Sequence, residues 1–331
     1  MRGKLLLIAP LFFGYYLDII EEAERCGYDV TYVCDAPSNS NISKAIGRIN
    51  KDLIKGATEK YFNEKVLPVL KEQSFDKVLI VGGMTFSFTS EMMKKLKETL
   101  ANSTFIMYQW DSEKNLPYAL SIHPYIDKLF SFDRYDCQGN EKYSFLPLFY
   151  TRVYEEIAQS GTDSFEFDCS YVGTAHPQKY KEINEMSEKF KDVFPNQLIY
   201  HYMPSKLKFL YHKFKDEEYK KAIYKEFETE KLSKNEMMDI IKKSRCILDA
   251  PQAGQTGLTI RTLECLGAKR KLITTNADIK NYDFYNEKNI LVFDGNVDME
   301  SPFFTHDYEE IPLEIYKKYS LNSWLKTMLG A

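Results

Sequence analysis

Short apolar runs alternate with amphipathic stretches along most of the chain, and this alternation constrains the fold more than any other feature. The apolar runs have the length of buried strands, and the stretches between them repeat apolar residues about every 3.6 positions, as helices do. Parallel strands need a long crossover connection, so this alternation predicts parallel sheets covered by helices. The 331 residues exceed what one core usually organises, and two α/β domains are expected.

The pattern predicts one set of elements before a polar, turn-rich stretch at residues 151–166 and a second set after it. The predicted strands are residues 4–10, 29–35, 76–83, 104–110, 128–133 and 143–149, then 169–174, 196–203, 246–251, 271–275 and 289–293. The predicted helices are residues 17–27, 44–73 and 89–102, then 179–194, 233–244, 258–268 and 313–330.

These elements predict an α/β fold with two Rossmann-like domains facing a cleft. The domains are predicted at residues 1–155 and 166–312, and ligands are expected at the carboxyl ends of their strands. The last stretch, residues 313–331, is predicted to carry a helix that packs back on the first domain.

Composition argues against several classes of protein. A net charge of −4 argues against a nucleic-acid-binding surface. The six cysteines are far apart and no His residues cluster with them, so neither a zinc site nor a disulfide framework is predicted. The apolar N-terminus contains Pro10 and Gly14 and lacks a small-residue cleavage site, which favours a first strand over a signal peptide. A cytoplasmic protein is therefore expected.

Several catalytic motifs are missing. The sequence contains no Gly-x-Gly-x-x-Gly after the first strand, no Walker A sequence and no Gly-x-Ser-x-Gly. These absences argue against a dinucleotide-dependent oxidoreductase, a P-loop nucleotide hydrolase and a serine hydrolase. No Asp-x-Asp pair is present to hold a metal-bound nucleotide diphosphate. Phosphate binding would therefore depend on backbone amides, helix ends and cationic side chains, without a metal or a separate cofactor.

The stretch 252–276 combines features that a phosphorylated, sugar-bearing ligand would require. Gly254 and Gly257 allow the backbone to approach a ligand closely, because no Cβ intervenes. The helix that follows offers its first-turn amides to an anion, and Arg261 can reach a diphosphate oxygen. Glu264 lies on the same helix face and can accept hydrogen bonds from ribose hydroxyls. The alternative is a surface ion pair between Arg261 and Glu264 beside glycines that only turn the chain.

Residues 257–276 resemble the donor-nucleotide corner of GT-B fold glycosyltransferases, with a Gly turn, an R-x-x-E helix, a small residue and a strand. The resemblance is closest to bacterial transferases of surface polysaccharide assembly, such as capsule or lipopolysaccharide. Residues 130–137 and 145–150 resemble the end of the acceptor domain of that group, and residues 170–180 resemble the start of its donor domain.

The resemblance implies roles for individual residues. Glu264 would bind the donor ribose, and Arg261 the diphosphate. The complete set of predicted donor-binding residues is Gly173, His176, Lys179, Gly254, Thr256, Gly257, Thr259, Arg261 and Glu264. Thr256 stands where many retaining members carry a second glutamate, which favours inversion of the anomeric configuration.

An inverting transferase needs a base to take the proton of the acceptor hydroxyl. Asp111 directly follows a predicted strand and is the first candidate, with Glu113 and His123 as alternatives. Trp110 can stack on a sugar ring. The alternative is that Asp111 and Ser112 only cap the next helix.

Two glycines complete the predicted acceptor side. Gly82 and Gly83 end another predicted strand and could approach the acceptor closely. The predicted acceptor-binding residues are thus Gly82, Gly83 and Trp110.

Residues 204–227 mix lysines with Tyr, Phe and Leu. One interpretation is contact with a membrane surface or a lipid-linked acceptor, and the other is a solvated helix pair whose aromatic side chains pack inward.

Together, these features predict a metal-independent glycosyltransferase that moves a sugar from a nucleotide diphosphate donor to a saccharide or lipid-linked acceptor. A nucleotide-sugar epimerase, a polyol-phosphate transferase and a non-catalytic nucleotide-sugar-binding protein are the alternatives.

Overall fold

The computed structural model describes residues 2–11, 13–37, 52–83, 86–115, 119–138, 140–161, 164–252 and 255–330. The chain divides into two compact units. The first domain comprises Met1–Leu148 and Leu321–Ala331, and the second comprises Phe149–Ser320. Among the described residues, no helix is both long and apolar enough to cross a membrane.

A parallel sheet forms the centre of the first domain. Its strands are β1 (Gly3–Ala9), β2 (Tyr28–Cys34), β3 (Lys77–Gly82), β4 (Thr104–Gln109), β5 (Lys128–Ser131) and β6 (Tyr143–Phe145). They lie in the order β2-β1-β3-β4-β5-β6, and every pair is parallel. β1 and β3 are almost entirely buried, as expected for strands that are covered on both faces. The strand order reverses between β1 and β3, where doubly wound sheets open a ligand crevice.

Helices connect these strands. They are α1 (Tyr15–Arg25), α2 (Asp52–Tyr61), α3 (Leu67–Lys71), α4 (Ser90–Thr99) and α5 (Arg134–Gln138). A π-helical turn, Phe62–Val66, joins α2 to α3, so the described part of the predicted helix 44–73 is not uniformly α-helical. Phe62, Val66 and Leu70 on this segment are buried in the main apolar core of the domain.

The second domain repeats the scheme with five parallel strands. They are β7 (Phe167–Thr174), β8 (Gln197–Tyr202), β9 (Ser244–Asp249), β10 (Lys271–Thr274) and β11 (Ile290–Val292). Their order is β11-β10-β9-β7-β8. The reversal falls between β7 and β9, which pair directly. The helices are α6 (Arg152–Gln159), α7 (Pro177–Phe190), α8 (Lys206–Lys215), α9 (Lys234–Lys243), α10 (Ile260–Gly267), α11 (Pro302–Thr305) and α12 (Leu313–Lys318).

The domain boundary lies earlier than residues 151–166. Helix α6 falls within that predicted linker, yet it belongs to the second domain. The cause is packing, since Tyr154 on α6 is fully buried. The turn-rich residues that follow α6, from Ser160 onward, concealed this amphipathic helix in the sequence.

The predicted helix 313–330 is two helices, α12 and α13 (Leu321–Leu329). The helical conformation is interrupted at Tyr319, whose backbone oxygen accepts a 3.0 Å hydrogen bond from the backbone N–H of Tyr150. As a result α12 lies in the second domain and α13 in the first. There Asn322 donates a 2.6 Å hydrogen bond to Glu22 on α1, and Trp324 packs edge-on against Tyr108.

Candidate functional site

The topological switch point of the second domain brings the ends of β7 and β9 together. In open α/β sheets, ligands bind outside the carboxyl ends of the strands at such a point. β7 leads past Gly173 into α7, and β9 ends at Asp249 before the turn into α10. Most of the predicted donor residues therefore lie on the connections that follow these two strands.

Asp249 organises the start of α10. Thr259 is the N-cap of this helix, and its Oγ1 accepts a 3.2 Å hydrogen bond from the backbone N–H of Thr262. The same hydroxyl donates to Asp249 Oδ2, which also accepts from Thr262 Oγ1 at 3.2 Å. The first turn of α10 is thereby held against the end of β9. Sequence analysis did not identify Asp249, although a charged residue that ends an apolar strand before a glycine turn is a usable signal.

Two cations act electrostatically on this buried carboxylate. Burial raises the pKa of Asp249, and Lys179 is the strongest opposing influence, followed by the Thr259 bond and Arg261. Burial lowers the pKa of Lys179, Asp249 opposes that change, and Arg261 reinforces it. Lys179 and Arg261 thus lie near the same helix N-terminus, where a bound anion would reduce the repulsion between them.

Arg261 and Glu264 form an ion pair, with Arg261 Nη1 2.8 Å from Glu264 Oε2. The pair is not on the surface, because the two side chains are only 16% and 2% exposed. The other carboxylate oxygen, Oε1, accepts a 2.6 Å hydrogen bond from the hydroxyl of Tyr154. The predicted ion pair between Arg261 and Glu264 is therefore present, but it is buried and does not lie on the surface.

The remaining predicted donor residues surround this centre in different ways. His176 is the N-cap residue of α7, ahead of Pro177. Thr256 O accepts a 3.0 Å hydrogen bond from Asn276 Nδ2, which holds the turn before α10. Gly257 in that turn is buried. The predicted donor residue Gly254 lies outside the described residues.

The ring of Tyr171 explains why position 173 is a glycine. A Cβ at position 173 would lie 2.7 Å from Tyr171 Cζ, so the tyrosine ring occupies the space that the glycine leaves. The Tyr171 hydroxyl is buried and has no hydrogen-bond partner in the structure. After burial, Asp249 is the strongest influence that raises the pKa of Tyr171, and Arg261 opposes it. Tyr171 is a candidate site residue that sequence analysis missed.

In the first domain, the predicted acceptor residues meet at the ends of β3 and β4. The backbone N–H of Trp110 donates a 3.1 Å hydrogen bond to Gly82 O. A Cβ at Gly83 would lie 2.6 Å from Trp110 Cδ1 and would also collide with the Asp111 carboxylate. Gly83 therefore makes room for Trp110 and Asp111, which places three predicted residues side by side.

The alternative bases, Glu113 and His123, have partners of their own near the end of β4. His123 Nε2 lies 2.8 Å from Gln109 Oε1 and 3.3 Å from the Tyr143 hydroxyl. Burial lowers the pKa of His123, with Glu113 opposing, so the imidazole is neutral near pH 7. The backbone N–H of Glu113 donates to Asp136 at 3.1 Å. The imidazole of His123 is therefore held against Gln109, the last residue of β4.

The hydroxyl of Ser112, the residue after Asp111, donates a hydrogen bond to the buried carboxylate of Asp133. Across the described ranges, no group of three His, Cys, Asp or Glu side chains is arranged to hold a metal ion.

No protein-family model and no curated protein sequence matches the chain. Solved structures share its fold. The catalytic domain of Starch Synthase IV from Arabidopsis thaliana, bound to ADP and acarbose, has a TM-score of 0.57 at 8% identity, over 100% of this chain and 98% of that chain. HepE from Anabaena, in complex with UDP-glucose, has a TM-score of 0.56 at 10% identity, over 99% of both chains. A glycosyltransferase from Rickettsia africae has a TM-score of 0.53 at 14% identity, over 99% of this chain and 97% of that one. The chain has the GT-B fold of these glycosyltransferases.

Proposed function

We propose that the protein is a glycosyltransferase that moves a sugar from a nucleotide diphosphate donor to a saccharide or lipid-linked acceptor. The observation that carries this proposal is the capped N-terminus of α10 beside Lys179 and Arg261, at the switch point of the second domain. Helix amides and cations at such a point suit a diphosphate. The GT-B fold, shared with a protein that was solved with UDP-glucose, supports the same conclusion.

The donor would be bound by three kinds of group. The α10 amides, Arg261 and Lys179 would stabilise the charge that develops on the leaving diphosphate, without a metal ion. Glu264 would accept hydrogen bonds from the ribose, because a carboxylate has acceptor sites beyond the two that Tyr154 and Arg261 occupy. The Tyr171 hydroxyl would donate a hydrogen bond to the nucleotide sugar, because this hydroxyl is buried without a partner.

The acceptor would be activated in the first domain. Asp111 would take the proton of the attacking hydroxyl, and Trp110 would stack on the acceptor sugar. Thr256 in place of a second glutamate favours inversion. The resemblance of residues 257–276 to transferases of bacterial surface polysaccharide synthesis suggests this class of acceptor.

A thermal-shift screen of nucleoside diphosphates tests the donor assignment. A nucleotide present at 100 times its Kd should raise the free energy of unfolding by about 2.7 kcal/mol. UDP is the first probe, and ADP and GDP are compared with it. Stabilisation by none of them would refute the donor site.

Turnover then separates the transferase from the alternative functions. A transferase releases free nucleotide from its donor faster when the acceptor is present. A nucleotide-sugar epimerase converts the donor without an acceptor, and a polyol-phosphate transferase uses a donor that is not a sugar nucleotide. A binding protein holds the donor without hydrolysing it.

A further inference from the structure

One face of helix α8 carries large apolar side chains that point into solvent. Leu207, Leu210, Tyr211 and Phe214 are 80%, 38%, 55% and 88% exposed. Their spacing of three and four residues places them on one stripe, about 100° wide, along the helix. Single exposed apolar residues are ordinary, but a continuous stripe of four on one helix indicates a surface that binds something apolar. We call these four residues the apolar stripe.

The opposite face anchors α8 to the second domain. Phe209 is buried and packs against Tyr224 and Phe227, with ring centroids 5.4 Å away in each case. His212 Nδ1 lies 2.7 Å from Asp216 Oδ2 just beyond the helix end. The second helix of the predicted pair is absent, since two short 3-10 turns, Glu217–Tyr219 and Tyr224–Glu226, follow α8. Helix α8 is therefore fixed to the domain by its opposite face, and the side chains of the apolar stripe do not contribute to the core.

Lysines flank the apolar stripe on both sides. Helix α8 contains four lysines and no Asp or Glu, in a chain whose net charge is −4. At 3.6 residues per turn, Lys208 and Lys215 fall along one edge of the stripe. Lys206 falls along the other edge, together with Lys213, whose ammonium donates a 2.6 Å hydrogen bond to Ala222 O. Lysine stems can lie beside an apolar surface while their ammonium groups reach a layer of negative charge. This pattern is that of helices that lie in the interface of a bilayer.

We propose that α8 docks on membranes that contain anionic phospholipids, with the apolar stripe in the acyl region and the lysines at the phosphates. Charge complementarity selects this occupant. A second copy of the chain, related by a twofold axis, would bring lysines against lysines in a contact between α8 helices, and an acyl surface without charge would leave the lysines unused. The proposal does not depend on the glycosyltransferase function, because vesicle binding needs no donor or acceptor.

Flotation with vesicles tests this docking. The full chain is mixed with vesicles of phosphatidylcholine alone, or of phosphatidylcholine with about one third phosphatidylglycerol, the anionic content at which surface lysines contribute clearly. We expect binding to the mixed vesicles only. Salt at about 0.5 M should weaken it, because the Debye length becomes shorter. Leu207→Ser with Phe214→Ser should weaken binding at least about tenfold, and Lys206→Gln with Lys215→Gln by a similar factor.

Matched variants elsewhere in the second domain serve as controls. Leu313→Ser removes another exposed leucine, and Lys189→Gln removes another exposed lysine, and neither should alter binding. Equal binding to both vesicle types, no binding, or binding unchanged by the stripe variants would overturn the proposal. So would a dimer of the parent protein that the stripe variants convert to a monomer, since the occupant would then be a second copy. All substituted positions are exposed, so folding should be retained, and a thermal melt checks this.

Discussion

The hydroxyl of Tyr154 donates a 2.6 Å hydrogen bond to Oε1 of Glu264, joining α6 to α10 inside the second domain. Both side chains are buried. Arg261 Nη1 lies 2.8 Å from the other oxygen of the same carboxylate. Glu264 is therefore oriented by two partners before any ligand arrives, which is the kind of support that a precise binding group requires.

Removing the Tyr154 hydroxyl should destabilise the protein. Tyr154→Phe leaves a buried carboxylate oxygen without its donor, and we expect the free energy of unfolding to fall by about 1–3 kcal/mol. Urea denaturation measures this. Tyr135→Phe is the control, because Tyr135 is exposed. Equal midpoints for the parent and Tyr154→Phe would mean that the bond contributes nothing to stability.

Replacing Glu264 should weaken nucleotide binding. Glu264→Ala removes the proposed ribose acceptor, and the loss should be about 1.5–3 kcal/mol in the binding free energy of a nucleoside diphosphate. Isothermal titration of the folded variant measures it, with the exposed Glu314→Ala as control. Parent-like affinity in Glu264→Ala would show that the carboxylate only orients Arg261 and Tyr154.

Asp111→Asn separates catalysis from structure. The amide retains the shape that fits beside Gly83 but cannot accept the proton. We expect kcat to fall roughly 10²–10⁴-fold while donor affinity stays near the parent value. If kcat is unchanged per folded molecule, the same measurement is repeated with Glu113→Gln and His123→Gln.

Turnover should be insensitive to chelation. The proposed leaving-group stabilisation uses Arg261, Lys179 and helix amides, so EDTA should leave the rate of nucleotide release unchanged. Loss of activity with EDTA, followed by recovery with Mg²⁺ or Mn²⁺, would contradict this mechanism.

Stability should fall at acid pH in part because of His201. This side chain is buried against Tyr171 and Tyr180, and burial lowers its pKa from 6.5 to about 4. A lowered pKa in the folded state means that His201 contributes its full stability above pH 6.5 and loses it as the pH falls to about 4. Over that window the loss should be roughly 3 kcal/mol.

A comparison with His201→Gln isolates this contribution. Urea denaturation at pH 7 and pH 4 should show a smaller acid loss for His201→Gln than for the parent. The exposed His306→Gln should behave like the parent. If the free energy of unfolding falls equally in all three proteins between pH 7 and pH 4, His201 is not the cause of the acid loss.

Local patterns explain why much of the fold was predictable. The six strands predicted in the first half and the five in the second all form, because each is a short apolar run. The central strands, such as β1 and β3, are also buried on both faces. The start of α10 was also predictable from the sequence, because Thr259 caps the helix by accepting a hydrogen bond from a backbone N–H only three residues away. Arg261 and Glu264 pair across one helical turn for the same reason.

The sequence by itself thus determined the two parallel α/β sheets and the local content of the donor corner, because strand and helix formation depend on neighbours a few residues away. Only the tertiary structure decided that Tyr154, 110 residues from Glu264, is its partner. It also decided that the last amphipathic stretch is interrupted at Tyr319. Such contacts join distant positions whose own surroundings in the sequence carry no sign of each other, and they form because a buried polar group must find a partner.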